Sequence, residues 1–505
     1  MTFKLTDSIN PRYNITGKTD MSDRIRGRGN NSWNDFRAKK KSYRINFKDK
    51  TPLFGLEAAK NWVLLGQHRD ETLLFNAVAF ELGNRFAFPF NHSFNFIDLY
   101  INGEYRGNYL LTEQNQVGPG RVNIEKGGWF AEIDEYYDDE PKFRTASYNL
   151  PVMIKWPKGG KTACGEENPA HIPVKNDFNG LADALASPDF PENGYRELID
   201  ITTFIDFLMI NELAANTDLS HPRSTFLYKD KDGAISMGPL WDFDSGYGWN
   251  YRNWMESGFN DHFNYPDRRP PLHLFLSRFY EDPVFLVKYK ERWNEKYDTI
   301  ASIPVFIDET AKKLEKSANM NFENWWYKTY APFTDTRPAQ PNIFGDAILR
   351  LKNWYSARVY YLNAEFNKVD VLPKNKTFSY RTKENYEISP QTFTLVSYGQ
   401  ISDPSASLQK GGSSSFEITG EWNQNATGNG GYLAVISVTP KKALPEEMLT
   451  GTDTLILSGK NQNAAFTLKV PLNFAQLKES VTPLSNKDTE PQKRGIGSHL
   501  MFWRR

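Results

Sequence analysis

Three aspartates, Asp218, Asp242 and Asp244, flank a stretch that reads as a β-hairpin. Thr225–Tyr228 and Ala234–Met237 are short runs of strand-forming residues around a turn containing Asp232-Gly233, and Gly there is expected to supply the positive φ of a tight reversal. A hairpin brings the chain back to its start. Asp218, just before the first strand, is therefore expected beside Asp242 and Asp244, just after the second, although they lie 24 and 26 positions further on. Three carboxylates gathered this way suit phosphoryl transfer, in which one carboxylate orients or deprotonates an attacking hydroxyl and others hold Mg2+ against phosphate oxygens. A single Asp in such a place more often caps a turn or decorates a loop. Three at the ends of one hairpin, beside Gly246 and Gly248, favour a site. Asp242-Phe-Asp244 is also an acidic pair able to hold the diphosphate of a nucleotide sugar through a metal, so glycosyl transfer stays open.

The partner chemistry would be cationic. Asp23 to Lys50 contains ten Lys or Arg against three Asp, a basic segment in a chain with 61 basic and 61 acidic side chains. Within it, Arg24-Ile-Arg-Gly-Arg-Gly-Asn30 places Gly27 and Gly29 among three arginines. The backbone there can approach an anion closely while the guanidinium groups of Arg26 and Arg28 reach its oxygens. Lys40, Lys41 and Arg44 add phosphate contacts at or near the following strand; as exposed edge charges they would instead discourage aggregation. Glu113 ends a strand, and Glu132 and Asp134 share a face in Gly128-Trp-Phe-Ala-Glu-Ile-Asp134. These acids join the metal site or pair with the basic segment. Lys155, in Met-Ile-Lys-Trp-Pro, lies on a predicted strand within reach of a phosphate.

The elements that must position these groups are legible from periodicity. Ser42–Lys48 alternates apolar Tyr43, Ile45 and Phe47 with polar residues, as a half-buried strand does. Thr72–Phe86 has the spacing of an amphipathic helix, and Phe96–Thr112 is split by Asn102-Gly103 into a predicted hairpin. Leu198–Asn216 reads as an apolar core helix. Pro283–Thr299, Pro304–Ser317 and Ile343–Phe366 follow as helices, with the aromatic run Asn324–Tyr330 expected as a packing insertion. After Val371, short alternating runs such as Tyr432–Thr439 and Thr454–Ser458 predict a β-sandwich, and the residues from Lys478 onward a disordered tail.

Bulk properties narrow the class. At 505 residues, with 39 % hydrophobic and 24 % charged side chains, the chain is globular and expected to form two or three units. It has no apolar run long enough to span a bilayer, and its balanced charge offers no argument for nucleic acid. The single Cys164 excludes a disulfide framework, and Met1–Asn10 carries no recognisable secretion signal. The seven histidines contain no His-Glu-x-x-His, and no Gly-x-Ser-x-Gly is present, which argues against zinc and serine hydrolases.

Six runs together resemble the CotH kinase family of spore-coat type: Arg26-Gly-Arg-Gly-Asn-Asn-Ser-Trp33, Lys40-Lys41-Ser-Tyr-Arg44, Asn61-Trp-Val-Leu-Leu65, Leu99-Tyr-Ile-Asn-Gly-Glu-Tyr105, Tyr109-Leu-Leu-Thr-Glu113 and Trp241-Asp-Phe-Asp244. The resemblance implies a two-lobed protein-kinase-like domain; with the sandwich read from composition after Val371, the expected fold is α+β, that domain followed by an immunoglobulin-like sandwich. Its expected bounds are 1–192 for the sheet-rich lobe, 193–370 for the helix-rich lobe, 371–477 for the sandwich and 478–505 for the tail. It further implies binding of ATP with Mg2+ or Mn2+ and phosphorylation of Ser or Thr on an exported or surface protein. Asp218 then matches the catalytic acid and Asp242 the metal-binding acid, with Asp244 completing the acidic pair and the dominant ligand of the two left open; Glu132, from its strand face, is a further candidate metal ligand. Arg26, Arg28, Lys41, Arg44, Glu113 and Lys155 are expected around the nucleotide. Ser224 stands where family members often carry Asn, and Ser42 where Pro is common. A binding protein that keeps the fold without catalysis, its sandwich presenting a face to glycan or protein, is the alternative from another class.

Overall fold

The structure is a computed structural model that describes residues 3–7, 9–18, 22–29, 33, 39–135, 140–159, 168–220, 222–248, 271–330, 343–374, 376–381, 390–441 and 450–477. Cys164 and the tail from Lys478 lie outside the described residues. The fold mixes helices with sheets that are largely antiparallel, the pair formed by Lys376–Arg381 and Ala464–Leu477 being parallel. A short pair, β1 (Phe3–Leu5) and β2 (Ile15–Lys18), precedes β3 (Ser22–Arg28), β4 (Ser42–Thr51) and β5 (Ala59–Leu65). After helix α1 (Phe75–Phe86) come β6 (Phe94–Ile101) and β7 (Glu104–Glu113), which complete a sheet in the order β3-β4-β5-β7-β6.

Alternation along these strands separates two faces. Ile45, Phe47, Trp62, Leu64, Tyr109 and Leu111 form a core on one face, while Val63 and Leu110 join the main core, which includes α1, on the other. Asn102 (φ 52°) and Gly103 (φ 81°) make the tight turn between β6 and β7, as that pair predicts. Helix α1 starts at Phe75, not Thr72. Asp70 holds the preceding turn by accepting from the Thr72 N–H and hydroxyl and, through its other oxygen, from the Phe75 N–H at 2.8 Å, a side-chain competition with helical bonding.

A second sheet, in the order β12-β11-β8-β10-β9, joins distant parts of the chain. It contains β8 (Trp129–Ile133), β9 (Lys142–Arg144) and β10 (Pro151–Trp156), then β11 (Thr225–Lys229) and β12 (Ser236–Met237). Between them lie α2 (Ile172–Ala186) and α3 (Ile201–Ala214). Almost every residue of α3 is buried. Asp200 caps its start by accepting from the Thr202 and Thr203 N–H groups, and Ala215 at φ 45° turns the chain out of its end.

Helices α4 (Pro271–Ser277), α5 (Pro283–Ala301), α6 (Ile303–Tyr330) and α7 (Ile343–Phe366) pack around α3 and α1. The aromatic run expected as an insertion is instead the last part of α6.

The C-terminal strands are β13 (Asp370–Leu372), β14 (Lys376–Arg381), β15 (Gln391–Tyr398), β16 (Ile401–Leu408), β17 (Phe416–Ile418), β18 (Asn423–Ala426), β19 (Gly431–Pro440), β20 (Thr450–Asn461) and β21 (Ala464–Leu477). They form two sheets, β13-β15-β19-β17 with β18 also on β19, and β14-β21-β20-β16. Phe393, Leu395, Ile436 and Val438 from one meet Leu455, Leu457, Val470 and Leu472 from the other in a separate core.

Candidate functional site

The β11–β12 pairing, Leu227 opposite Met237 and Tyr228 opposite Ser236, returns the chain as its sequence suggests. The turn differs in detail: Gly233 does not take a positive φ, and the reversal is closed by its N–H donating to the Asp230 carbonyl at 3.1 Å. Asp218 sits in a single 3-10 turn, Thr217–Ser220, directly after α3. The Thr217 hydroxyl donates to the Ser245 carbonyl at 3.1 Å and the Tyr247 N–H to the Ala214 carbonyl at 2.5 Å, fastening the segment after β12 to the end of α3. As a result, one oxygen each of Asp218, Asp242 and Asp244 lies within 4.8 Å of the others, all three residues half-buried.

Hydrogen bonds fix the cluster from behind. Asn216 Nδ2 reaches both Asn211 Oδ1 (3.1 Å) and the Asp242 carbonyl (3.3 Å), and its Oδ1 accepts from the Asp218 N–H at 3.3 Å. Asp242 is held at φ 65°, a left-handed conformation uncommon for a residue with a Cβ and found where surroundings over-determine it. Phe243 N–H donates to Asn76 Oδ1 of α1 at 3.1 Å. Ser224, itself at φ 45°, donates its hydroxyl to Asp242 Oδ2 at 3.0 Å, while its N–H donates to Asp134 Oδ2 at 3.2 Å. Ser224 thus combines a left-handed backbone with a hydrogen bond to Asp242.

Gathering carboxylates in a half-buried place costs charge. Burial and the neighbouring Asp242 push the Asp218 carboxyl up to about 6, against the opposing pull of Arg223, a hydrogen bond from Ser245, and Arg69. The same two causes push Asp244 up to about 8, with Arg69 again opposing. Arg223 Nη1 is 3.6 Å from Asp218 Oδ1. A cation placed among these carboxylates would have to displace such a proton.

The arginine strand faces this site. Arg26 pairs with Arg44 and Arg28 with Ser42 across β3 and β4, so the three guanidinium groups share one face. Arg28 lies 4.7 Å over the Trp241 ring, next in sequence to Asp242. Burial lowers its pKa while Asp242 and Glu132 raise it and Arg44 lowers it further, which puts these four groups in one electrostatic neighbourhood. Arg44 donates to Asn61 Oδ1 at 2.8 Å, and Arg26 is exposed.

Other expected residues have different surroundings. Lys155 Nζ is 2.7 Å from Glu132 Oε2 and 3.2 Å from Glu140 Oε1, and Glu132 is outside the three-acid cluster. Lys41 donates to the Trp33 carbonyl at 2.5 Å. Lys40 is buried, donates to the Asn108 carbonyl, lies 4.9 Å over the Tyr109 ring and is pushed down to about 7 by desolvation. Glu113 is paired with Trp62, not with the Val63 opposite Arg44, and accepts from the Ser93 N–H at 2.9 Å. Sequence reasoning passed over Arg69, Arg223, Asn216 and Ser245. The signal for Arg69 was a charged run, His68 to Glu71, between a strand and an apolar helix; Asn216 and Ser245 are visible only once the end of α3 meets the turn after β12.

A family model described as CotH kinase protein matches residues 24–362. That span is more than half of the chain and includes the whole acidic cluster and the arginine strand, so this protein belongs to the CotH kinase family. Membership supports a kinase-like function. No curated protein matches the chain. Among the described residues, no helix is long and apolar enough to cross a membrane.

Proposed function

We propose that this chain is an ATP-dependent phosphotransferase that works with Mg2+ or Mn2+ and transfers the γ-phosphate to a Ser or Thr hydroxyl of an exported or cell-surface protein. The observation that carries the reading is the gathering of three carboxylates within 4.8 Å inside the family-matched span. Their chemistry fits the ion: hard oxygen donors suit Mg2+ and Mn2+, and the raised Asp244 marks a charge excess that a divalent cation relieves.

Asp242 and Asp244 are assigned as its ligands. When bound, such an ion neutralises charge on the phosphate oxygens. Asp218 is assigned to take the proton of the attacking hydroxyl. At about 6 its carboxyl is ionised at neutral pH yet more basic than an ordinary aspartate, the compromise a general base needs. Arg28, Arg26 and Arg44 are assigned to phosphate oxygens, and the Lys155–Glu132 pair orients this face. Lys41 and Glu113 take supporting places at its margins through Trp33 and Ser93. The proposed organisation is a two-lobed kinase-like domain over 1–192 and 193–370, with an immunoglobulin-like sandwich over 371–477 that offers a surface to glycan or protein.

Thermal unfolding with ATP and Mg2+ or Mn2+ tests the reading. A ligand at about 100 times its dissociation constant stabilises the folded state by roughly 2.7 kcal/mol. We expect metal-dependent stabilisation by ATP in the wild type and its loss in Asp242→Ala. Stabilisation by a nucleotide sugar but not by ATP would overturn the reading in favour of glycosyl transfer, and no nucleotide effect would leave a binding protein.

A further inference from the structure

We propose that Arg358 is a positioning residue for the acidic site, acting through the C-terminal end of α3 on Asp218 and Asp242; the inference rests on the phosphotransferase reading. Arg358 lies on α7, 140 positions from Asp218 and 116 from Asp242 in the sequence, and its side chain and that of Glu212 are each 1 % exposed. Its Nε and Nη2 donate to the Glu212 carbonyl at 3.0 and 2.6 Å, and Nη2 also donates to Glu212 Oε1 at 3.0 Å. Glu212 lies in the last turn of α3, where its carbonyl accepts from the Ala215 N–H at 3.0 Å as well as from Arg358, and a guanidinium there complements the negative end of the helix.

The clamp is continuous with the site. Two residues beyond Glu212, the Ala214 carbonyl accepts from the Tyr247 N–H, tying down the segment that carries Asp242 and Asp244. Asn216, anchored on Asn211 in the last turn, holds both the Asp242 carbonyl and the Asp218 N–H. A shift of the helix end therefore moves the base and the metal acids together. A buried ion pair contributes little net stability compared with apolar side chains of similar size, so its place at this helix end points to orientation.

Two variants of the full chain test this, Arg358→Lys and the double Arg358→Met, Glu212→Gln, each followed by Mn2+ titration, γ-phosphate transfer kinetics and thermal unfolding. Lysine keeps the charge but not the forked donors. In the folded variants we expect Mn2+ affinity to fall about tenfold and kcat about 100-fold, with KM for ATP changed less than about threefold. Wild-type Mn2+ affinity and kcat in either folded variant would overturn the proposal. If Arg358→Lys does not fold, the double variant, which removes both buried charges, carries the test. A wild type that binds Mn2+ but transfers no phosphate would refute the phosphotransferase reading alone, and a fall of Mn2+ affinity in the variants would then still support the role of Arg358.

Discussion

At the scale of single residues, the site is a balance between carboxylates that repel one another and the groups that hold them together. Asp244 shows the consequence. Its folded-state value of about 8 lies above the ordinary 3.8, so between these limits the folded chain keeps a proton that the unfolded chain releases. The contribution of this group to stability is then fully present below about pH 3.8 and is lost as pH rises toward 8, by up to about 1.4 kcal/mol per pH unit for one proton. Asp244→Asn should flatten that part of the wild-type dependence, raise the melting temperature of the metal-free protein at pH 8, and abolish its stabilisation by Mn2+. A variant that tracks the wild type across pH 5 to 8 would show that Asp244 is not the strained acid. The three aspartates themselves were legible in the sequence because a hairpin fixes where its ends go. Asn216 was not, since its meaning depends on which distant segments it faces, and Arg69 showed only as part of a charged run.

Elements were read best where periodicity is strong and local chemistry does not compete. The β6–β7 hairpin and helix α7 follow their patterns closely, whereas α1 begins three residues later than its apolar spacing predicts because Asp70 and Thr72 satisfy the first turn themselves. Asp70→Ala leaves the Thr72 and Phe75 N–H groups buried without that acceptor. We expect a loss of about 2 kcal/mol in denaturant unfolding, the upper range for a helix cap; a loss below about 0.5 kcal/mol would mean that the turn is held by packing alone. The aromatic end of α6 was misjudged for a related reason. Tryptophans and tyrosines in sequence look like an insertion, yet Trp325 Nε1 donates to the Arg106 carbonyl at 2.8 Å, so Trp325 ties this part of the helix to the sheet.

In the whole molecule, neighbouring residues of α5 fasten the sandwich to the helices. Lys290 Nζ is 2.8 Å from Asp370 Oδ2 and donates to the Phe366 and Lys368 carbonyls, while Glu291 Oε1 accepts from the Thr427 hydroxyl and from the Asn429 and Gly431 N–H groups. Val396 and Leu433 of the sandwich pack with the main core. Likewise, β8 and β11 share one sheet across the expected boundary at residue 192. Composition distinguished sheet-rich, helix-rich and sandwich parts but carried no sign of these joints, which depend on long-range strand pairing and on individual side chains. Glu291→Ala should cost about 1 to 2 kcal/mol, since it removes three hydrogen bonds, one of them from the buried Gly431 N–H, and should split one calorimetric unfolding transition into two. A single transition unchanged in position would show that Glu291 does not couple the parts.

The central claim, that Asp218, Asp242 and Asp244 form the centre of a phosphotransferase, is met most directly by one measurement: transfer of the γ-phosphate of ATP to protein Ser or Thr, followed by mass spectrometry, in the wild type and in Asp242→Asn with and without Mn2+. The account predicts Mn2+-dependent incorporation by the wild type and a loss of at least about 1,000-fold in the variant, as expected when an essential charge-stabilising group is removed. Equal incorporation by the two proteins, or none by a wild type that binds both ATP and Mn2+, would contradict it.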